Sequence, residues 1–220
     1  LKRILPAFIR LLNKSAENIT PCVIDFWRNF QVPGFLQMDN ELSFRGSNRH
    51  PRGLALLMSV ALSNGVSPLF IPPAEPWRNG IIEKFNDNVL AHFYRSETFA
   101  CFEEMCQKAK EFSRFHNANH RYSSQNYKTP NQMIFNDCKK SKLEREIDLT
   151  QKIFVEEGRL IFIRFIRNDL KLTVLNTVFI VKPELKYSYV VCEIILEKYV
   201  LAVSHNNEIY HIFEFQMSLP

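Results

Sequence analysis

The sequence predicts an α/β domain followed by a small all-β module. Short apolar strands at 35–38 and 66–71 alternate with amphipathic helices, and Pro or Gly marks each break. From Arg159 onward the texture changes to β-branched and aromatic runs, closely spaced and without helical periodicity, which indicates a small β-barrel. On this reading the α/β core covers 1–138, a linker 139–154 and the β-module 155–220.

Each element has its own signal. Residues 5–12 read as an apolar strand. Residues 17–30 form a helix, with Ile19, Val23, Ile24, Phe26, Trp27 and Phe30 at helical intervals and Ser15 placed to cap it. Pro33 and Gly34 stop that helix, and the strand at 35–38 ends at Asp39. A basic, glycine-containing loop at 44–51 leads to a helix over 52–64, which Gly65 ends. The strand at 66–71 is closed by Pro72 and Pro73. A helix over 77–95 carries Ile82, Phe85, Val89 and Phe93 on one face, and another covers 97–116. The charged segment 139–148 marks the linker. Beyond it, Asn168, Asp169, Asn206 and Asn207 are turn signals between short strands.

Composition narrows the partners only slightly. The chain is 46% hydrophobic and 23% charged, ordinary for a globular protein. No stretch reaches the roughly 18 uncharged apolar residues of a membrane helix. The most apolar tract, 187–204, is broken by Glu193, Glu197 and Lys198. Residues 151–220 hold eight basic and eight acidic residues, so the whole surplus of +5 lies in 1–150. That agrees with a polyanionic partner without requiring one. Five cysteines, odd in number and without framework spacing, suit a reducing cytoplasm. The chain starts without Met and without the order of a signal peptide, and the expectation is a truncated N-terminus.

Two carboxylates stand out by position. Asp39 lies at the C-terminal end of a strand, where side chains leave a sheet and meet ligands. Glu83 lies one to two turns into the helix after the next strand, on the side of Asn79, Asn86 and Asp87 and opposite the apolar stripe. Parallel pairing of the two strands brings both carboxylates to one end of the sheet. Convergent hard oxygen ligands are what Mg²⁺ or Mn²⁺ demands, and such sites serve in-line phosphoryl displacement. Spacing alone also allows each acid to be a solvated surface or capping group.

The surrounding residues add a resemblance. The string Leu36, Gln37, Met38, Asp39, Asn40, Glu41 is followed by Phe70, Ile71, Pro72, Pro73. Then comes Glu75, Pro76, Trp77, Arg78, Asn79, Gly80, Ile81, Ile82, Glu83, Lys84, Phe85, Asn86. Together they resemble the integrase catalytic core of bacterial insertion-sequence transposases of the Asp-Asp-Glu type. His120, Arg121, Tyr122 and Lys128, Thr129, Pro130 are similar to the segment after that family's catalytic helix. The tail with Phe162, Ile163, Arg164, Phe165, Ile166, Arg167 resembles its small C-terminal β-domain.

The resemblance implies a ribonuclease-H-like core followed by a small SH3-like barrel. It also implies DNA as partner, multimers pairing two DNA ends, and Mg²⁺ or Mn²⁺ held by Asp39 and Glu83. The family's first Asp has no counterpart: only Glu17 and Asp25 precede Asp39, both within the helix at 17–30. The first strand is therefore expected to be missing. Two expectations compete: a piece of a longer enzyme that cuts and joins DNA, or an inactive DNA-binding remnant. An unrelated α/β hydrolase acting on a small phosphate ester is a third reading.

Arg45, Arg49, His50 and Arg52 follow Asp39 closely and suit DNA phosphates, as do Arg78 and Lys84 around Glu83. Trp77 reads as core packing more readily than as a base-stacking platform. Cys101, Cys106, His116 and His120 have a spacing that suggests zinc. They read better as helix residues, because cysteines five apart on a helix point to different sides.

Overall fold

The computed structural model describes residues 14–46, 48–123, 126–135 and 142–218. The strand expected at 5–12 lies outside them, as do Cys138 and the start of the linker. The chain forms two compact units: Asn13–Pro76 with Lys142–Pro220 make one, and Trp77–Ser141 belongs to the other.

In the larger unit, helix α1 (Ala16–Asn29) begins at Ser15, whose carbonyl accepts from the N–H groups of Asn18 and Ile19. The Ser15 hydroxyl accepts from the Asn18 side chain instead of a backbone cap donor. Ile24 and Trp27 of α1 bury against Val60, Ala61 and Val66. Strand β1 (Phe35–Met38) and the short helix α2 (Leu42–Arg45) follow. Helix α3 (Leu56–Ser63) is buried over most of its length and ends as Gly65 predicts. Gly65 has φ +67°; its N–H reaches the Leu62 carbonyl while that of Val66 reaches Ala61, a Schellman closure of the helix end.

Strand β2 (Ser67–Phe70) pairs with β1 in parallel, as the strand–helix–strand pattern predicts. The expected separate barrel is corrected by what lies on the other side of β2. Strand β3 (Arg159–Phe165) pairs with it in parallel at Leu69↔Ile161 and Phe70↔Phe162. The remaining strands are β4 (Lys171–Val174), β5 (Thr177–Ile180), β6 (Tyr189–Ile195), β7 (Val200–His205) and β8 (Glu208–Glu214). One six-stranded sheet runs β1-β2-β3-β6-β7-β8, antiparallel from β3 onward, with β4 and β5 as a separate hairpin. The C-terminal strands thus extend the N-terminal sheet.

Packing explains the join. Phe70 and Phe162 are fully buried and stack at 4.8 Å between ring centroids. Burying each ring contributes roughly 1.5–3 kcal/mol and the ring pair about another 1 kcal/mol. That is ample for a junction of two register pairs.

The expected linker is docked over its described part. The Leu143 N–H donates to the Trp27 carbonyl, and its side chain joins the cluster of Ile24 and Trp27. Arg145 donates to the Ser63 carbonyl and hydroxyl and to the Asn64 side chain, occupying acceptors at the C-terminal end of α3. The charge run read as a linker because its apolar residues, Leu143, Ile147 and Leu149, are spaced among charges.

A 3-10 turn (Pro76–Asn79) leads into the smaller unit, which contains α4 (Gly80–Val89), a π turn at Leu90–Tyr94, α5 (Phe102–Asn119) and α6 (Pro130–Phe135). The continuous helix predicted over 77–95 is thus three segments. Phe85, Val89 and Phe93 are four apart, a spacing that drifts around an α-helix of 3.6 residues per turn. The wider π turn keeps Phe93 on their stripe, where all three bury against Met105 and Ala109. Ile82, expected on that stripe, is exposed.

Candidate functional site

The C-terminal ends of β1 and β2 are tied together by Asn40. Its Nδ2 donates to the Ile71 carbonyl at 2.6 Å, and the Ile71 N–H donates to the Met38 carbonyl. Asp39, beside it, is exposed, with one carboxylate oxygen accepting the Glu41 N–H at 3.0 Å. Among the described residues the other oxygen has no partner. The Asp stands at a parallel strand end because Gly34 and Asn40 bracket a four-residue strand that Leu36 and Met38 anchor inward.

Glu83 lies on α4, exposed together with Asn86 and Asp87 on the side away from Phe85 and Val89. Among the described residues its carboxylate has no partner either. Asp39 and Glu83 belong to different compact units. No group of three or more His, Cys, Asp or Glu able to hold a metal occurs among the described residues. Singly, the two fit a hard divalent cation: each offers an accessible carboxylate oxygen free of a competing Lys or Arg.

The expected phosphate-binding residues divide. Arg49, Arg78 and Lys84 are exposed. Arg52 sets its guanidinium over the Phe215 ring at 4.7 Å. Arg45 is held by the Asn40 carbonyl at 3.0 Å and the side chains of Asn48 and Asn176, all neutral acceptors. Trp77 is 65% exposed, contrary to the core packing expected of it.

Arg45 faces a cavity of about 480 Å³ that sequence reading did not find. Its lining includes Asn40, Arg45, Arg164, Arg167 and Lys171. Arg164 was legible in principle. Leu160, Phe162 and Arg164 share the inward face of β3, so an arginine occupies a position where period-two alternation demands an apolar residue.

The cysteine and histidine residues with zinc-like spacing are structural. Cys101 begins α5, its sulfur accepting the Glu104 N–H. His116 is buried, stacks on His120 at 4.4 Å, and shares a 2.9 Å hydrogen bond with the Tyr122 hydroxyl. Burial, and then the neighbouring His120, bring its pKa down to about 4.

Against known protein families, residues 64–130 match the integrase core domain. That match supports an integrase- or transposase-type catalytic core, and the mixed α/β architecture fits a ribonuclease-H-like fold. Glu83 lies inside the matched stretch and Asp39 outside it. No curated protein matches the chain. Among the described residues no helix is long and apolar enough to cross a membrane.

Proposed function

We propose that this chain is part of an Asp-Asp-Glu transposase, of the bacterial insertion-sequence kind, that cuts and joins DNA by metal-assisted phosphoryl transfer. The observation that carries the reading is the integrase-core match over 64–130, with Glu83 on the exposed side of α4. The parallel β1–β2 pair, with Asp39 at its C-terminal end, supports it.

In this reading Asp39 and Glu83 are two of the ligands of Mg²⁺ or Mn²⁺. Glu17 and Asp25 both lie within helix α1 and not at a strand end, so neither is assigned as the third acidic ligand. When bound, the cation supplies Lewis-acid activation of the attacking oxygen and charge stabilisation of the leaving one. The chain's own share is positioning. Arg45, Arg49, Arg52, Arg78 and Lys84 hold backbone phosphates, which supplies affinity and register, not sequence selectivity. Water and then a DNA 3′-hydroxyl attack the phosphodiester, and no protein nucleophile is needed. The protein acts in the cytoplasm as a multimer pairing two DNA ends.

The test is a strand-transfer assay on the complete open reading frame containing these residues, with Mg²⁺ or Mn²⁺ present. Asp39→Asn and Glu83→Gln should each lower strand transfer by about 100-fold or more while leaving DNA binding in place. DNA binding without any metal-dependent strand chemistry would instead establish the inactive remnant. Metal-dependent cleavage of a small phosphate ester without DNA binding would establish the hydrolase.

A further inference from the structure

Arg164 is 9% exposed and has no carboxylate partner among the described residues. Its donors go to the carbonyls of Thr173, Ile71 and Ile163 and to Asn40 Oδ1 at 3.0 Å, and the guanidinium lies over the Phe162 ring at 5.1 Å. Cys192, nearby, supplies no negative charge at neutral pH, because burial pushes its thiol up to about 12. The charge closest in effect is another cation, Arg45, itself held only by neutral acceptors.

Two guanidinium groups near one another, one of them buried and neither neutralised, are costly unless an anion joins them. The same cavity is lined by Arg167 and Lys171, both exposed and without side-chain partners among the described residues. Its acids are Glu75, bonded to the Tyr189 hydroxyl at 2.8 Å, and Asp169, which accepts the Lys171 N–H. Four basic against two acidic residues leave the cavity positive. All of these groups belong to the larger unit.

We propose that this cavity is a phosphate site for the DNA backbone. Arg45 and Arg164, held by hydrogen bonds, line it together with the exposed Arg167 and Lys171, and Asn40 couples it to the strand end bearing Asp39. Arg164 is pre-organised: four hydrogen bonds fix its plane, so little side-chain entropy is lost on binding. Arg167 and Lys171 are exposed and supply charge at the entrance. The assignment rests on the DNA reading above and adds residues that reading does not contain.

The test uses the 220-residue chain in EDTA, so that metal chemistry plays no part. Binding of a labelled DNA duplex is followed by anisotropy over a range of salt concentrations. The double variant Arg167→Gln/Lys171→Gln, both exposed, should melt as wild type does. It should bind duplex about tenfold or more weakly, with the log–log salt slope reduced by about 2. Inorganic phosphate, at ionic strength matched by chloride, should raise the melting temperature of wild type more than that of the variant. Unchanged duplex affinity and slope in the variant overturn the assignment. If phosphate alone discriminates the two proteins, the occupant is a free phosphate and the DNA proposal is wrong. A wild-type chain that binds no duplex sinks the DNA reading and this proposal together. Loss of strand transfer without loss of this binding would leave the site standing and remove only the proposed chemistry.

Discussion

Asn40 Oδ1 accepts a hydrogen bond from Arg164 Nη2 at 3.0 Å, joining the end of β1 to a buried guanidinium 124 residues later in the chain. The other side-chain atom of Asn40 holds the Ile71 carbonyl, and its backbone carbonyl holds Arg45. One residue next to Asp39 therefore fixes two strand ends and two arginines. Asn40→Ala leaves the Ile71 carbonyl without its side-chain donor and Arg164 without its side-chain acceptor, at a cost of roughly 2–4 kcal/mol by urea unfolding. Asn40→Asp loses the donor to the Ile71 carbonyl just as Asn40→Ala does, but keeps the acceptor for Arg164 and gives it a counter-charge. It should be more stable than Asn40→Ala yet bind duplex DNA more weakly than wild type, because the added carboxylate competes with phosphate. Equal stabilities of the two variants would contradict this role.

Arg145 tests whether the predicted linker is part of the fold. Its guanidinium serves acceptors at the C-terminal end of α3, where the helix dipole also favours a cation. Arg145→Ala should cost about 1 kcal/mol and speed proteolysis within 142–154. A cleavage rate equal to wild type would mean that this segment is anchored by Leu143 and its apolar neighbours alone.

How much of this was legible in the sequence depends on the range of the interactions. The β1 and β2 strands, the Gly65 helix stop and the exposed side of α4 follow from local pattern, and the structure has them. The pairing of β2 with β3 was not legible, because the residues that decide it are about ninety positions apart and each strand alone suits a barrel equally well. The docked linker was hidden for a related reason: apolar residues scattered among charges look solvated until a partner such as Trp27 is known. Asp39 was legible as a strand-end acid, whereas the proposed phosphate cavity required knowing that Arg45 and Arg164 line one space and both bond Asn40. Only the inward register of Arg164 on β3 hinted at it.

Gly158 provides a steric test of how β3 meets α3. Its φ is +119°, and a Cβ there would lie 2.9 Å from Leu62 Cδ2. Its N–H also donates to Glu197. Gly158→Ala should destabilise by roughly 1–3 kcal/mol, from backbone strain and the displaced leucine. Gly158→Ala with Leu62→Ala should show coupling in a double-mutant cycle, since the second change removes the clash. Strict additivity would refute the contact.

His116 predicts a pH dependence of stability. Its folded pKa, about 4, lies below the ordinary 6.5 because burial, followed by His120, disfavours the charged ring. The unfolded chain therefore takes up this proton first. The contribution of His116 is fully present above about pH 6.5 and is lost as pH falls from there toward 4. Proton NMR should find the His116 ring titrating well below His residues in an unfolded peptide. His116→Gln should flatten the loss of stability over that interval, and a ring titrating near 6.5 would contradict its burial.

In the proposed reading Asp39 and Glu83 serve one divalent cation in DNA strand chemistry. The most direct measurement of this is strand transfer by the complete open reading frame in Mg²⁺ or Mn²⁺, comparing wild type with Asp39→Asn and Glu83→Gln. The expected result is metal-dependent joining in wild type and a loss of about 100-fold or more in each variant, with duplex binding retained. Metal-dependent joining that persists at the wild-type rate in both variants would contradict it.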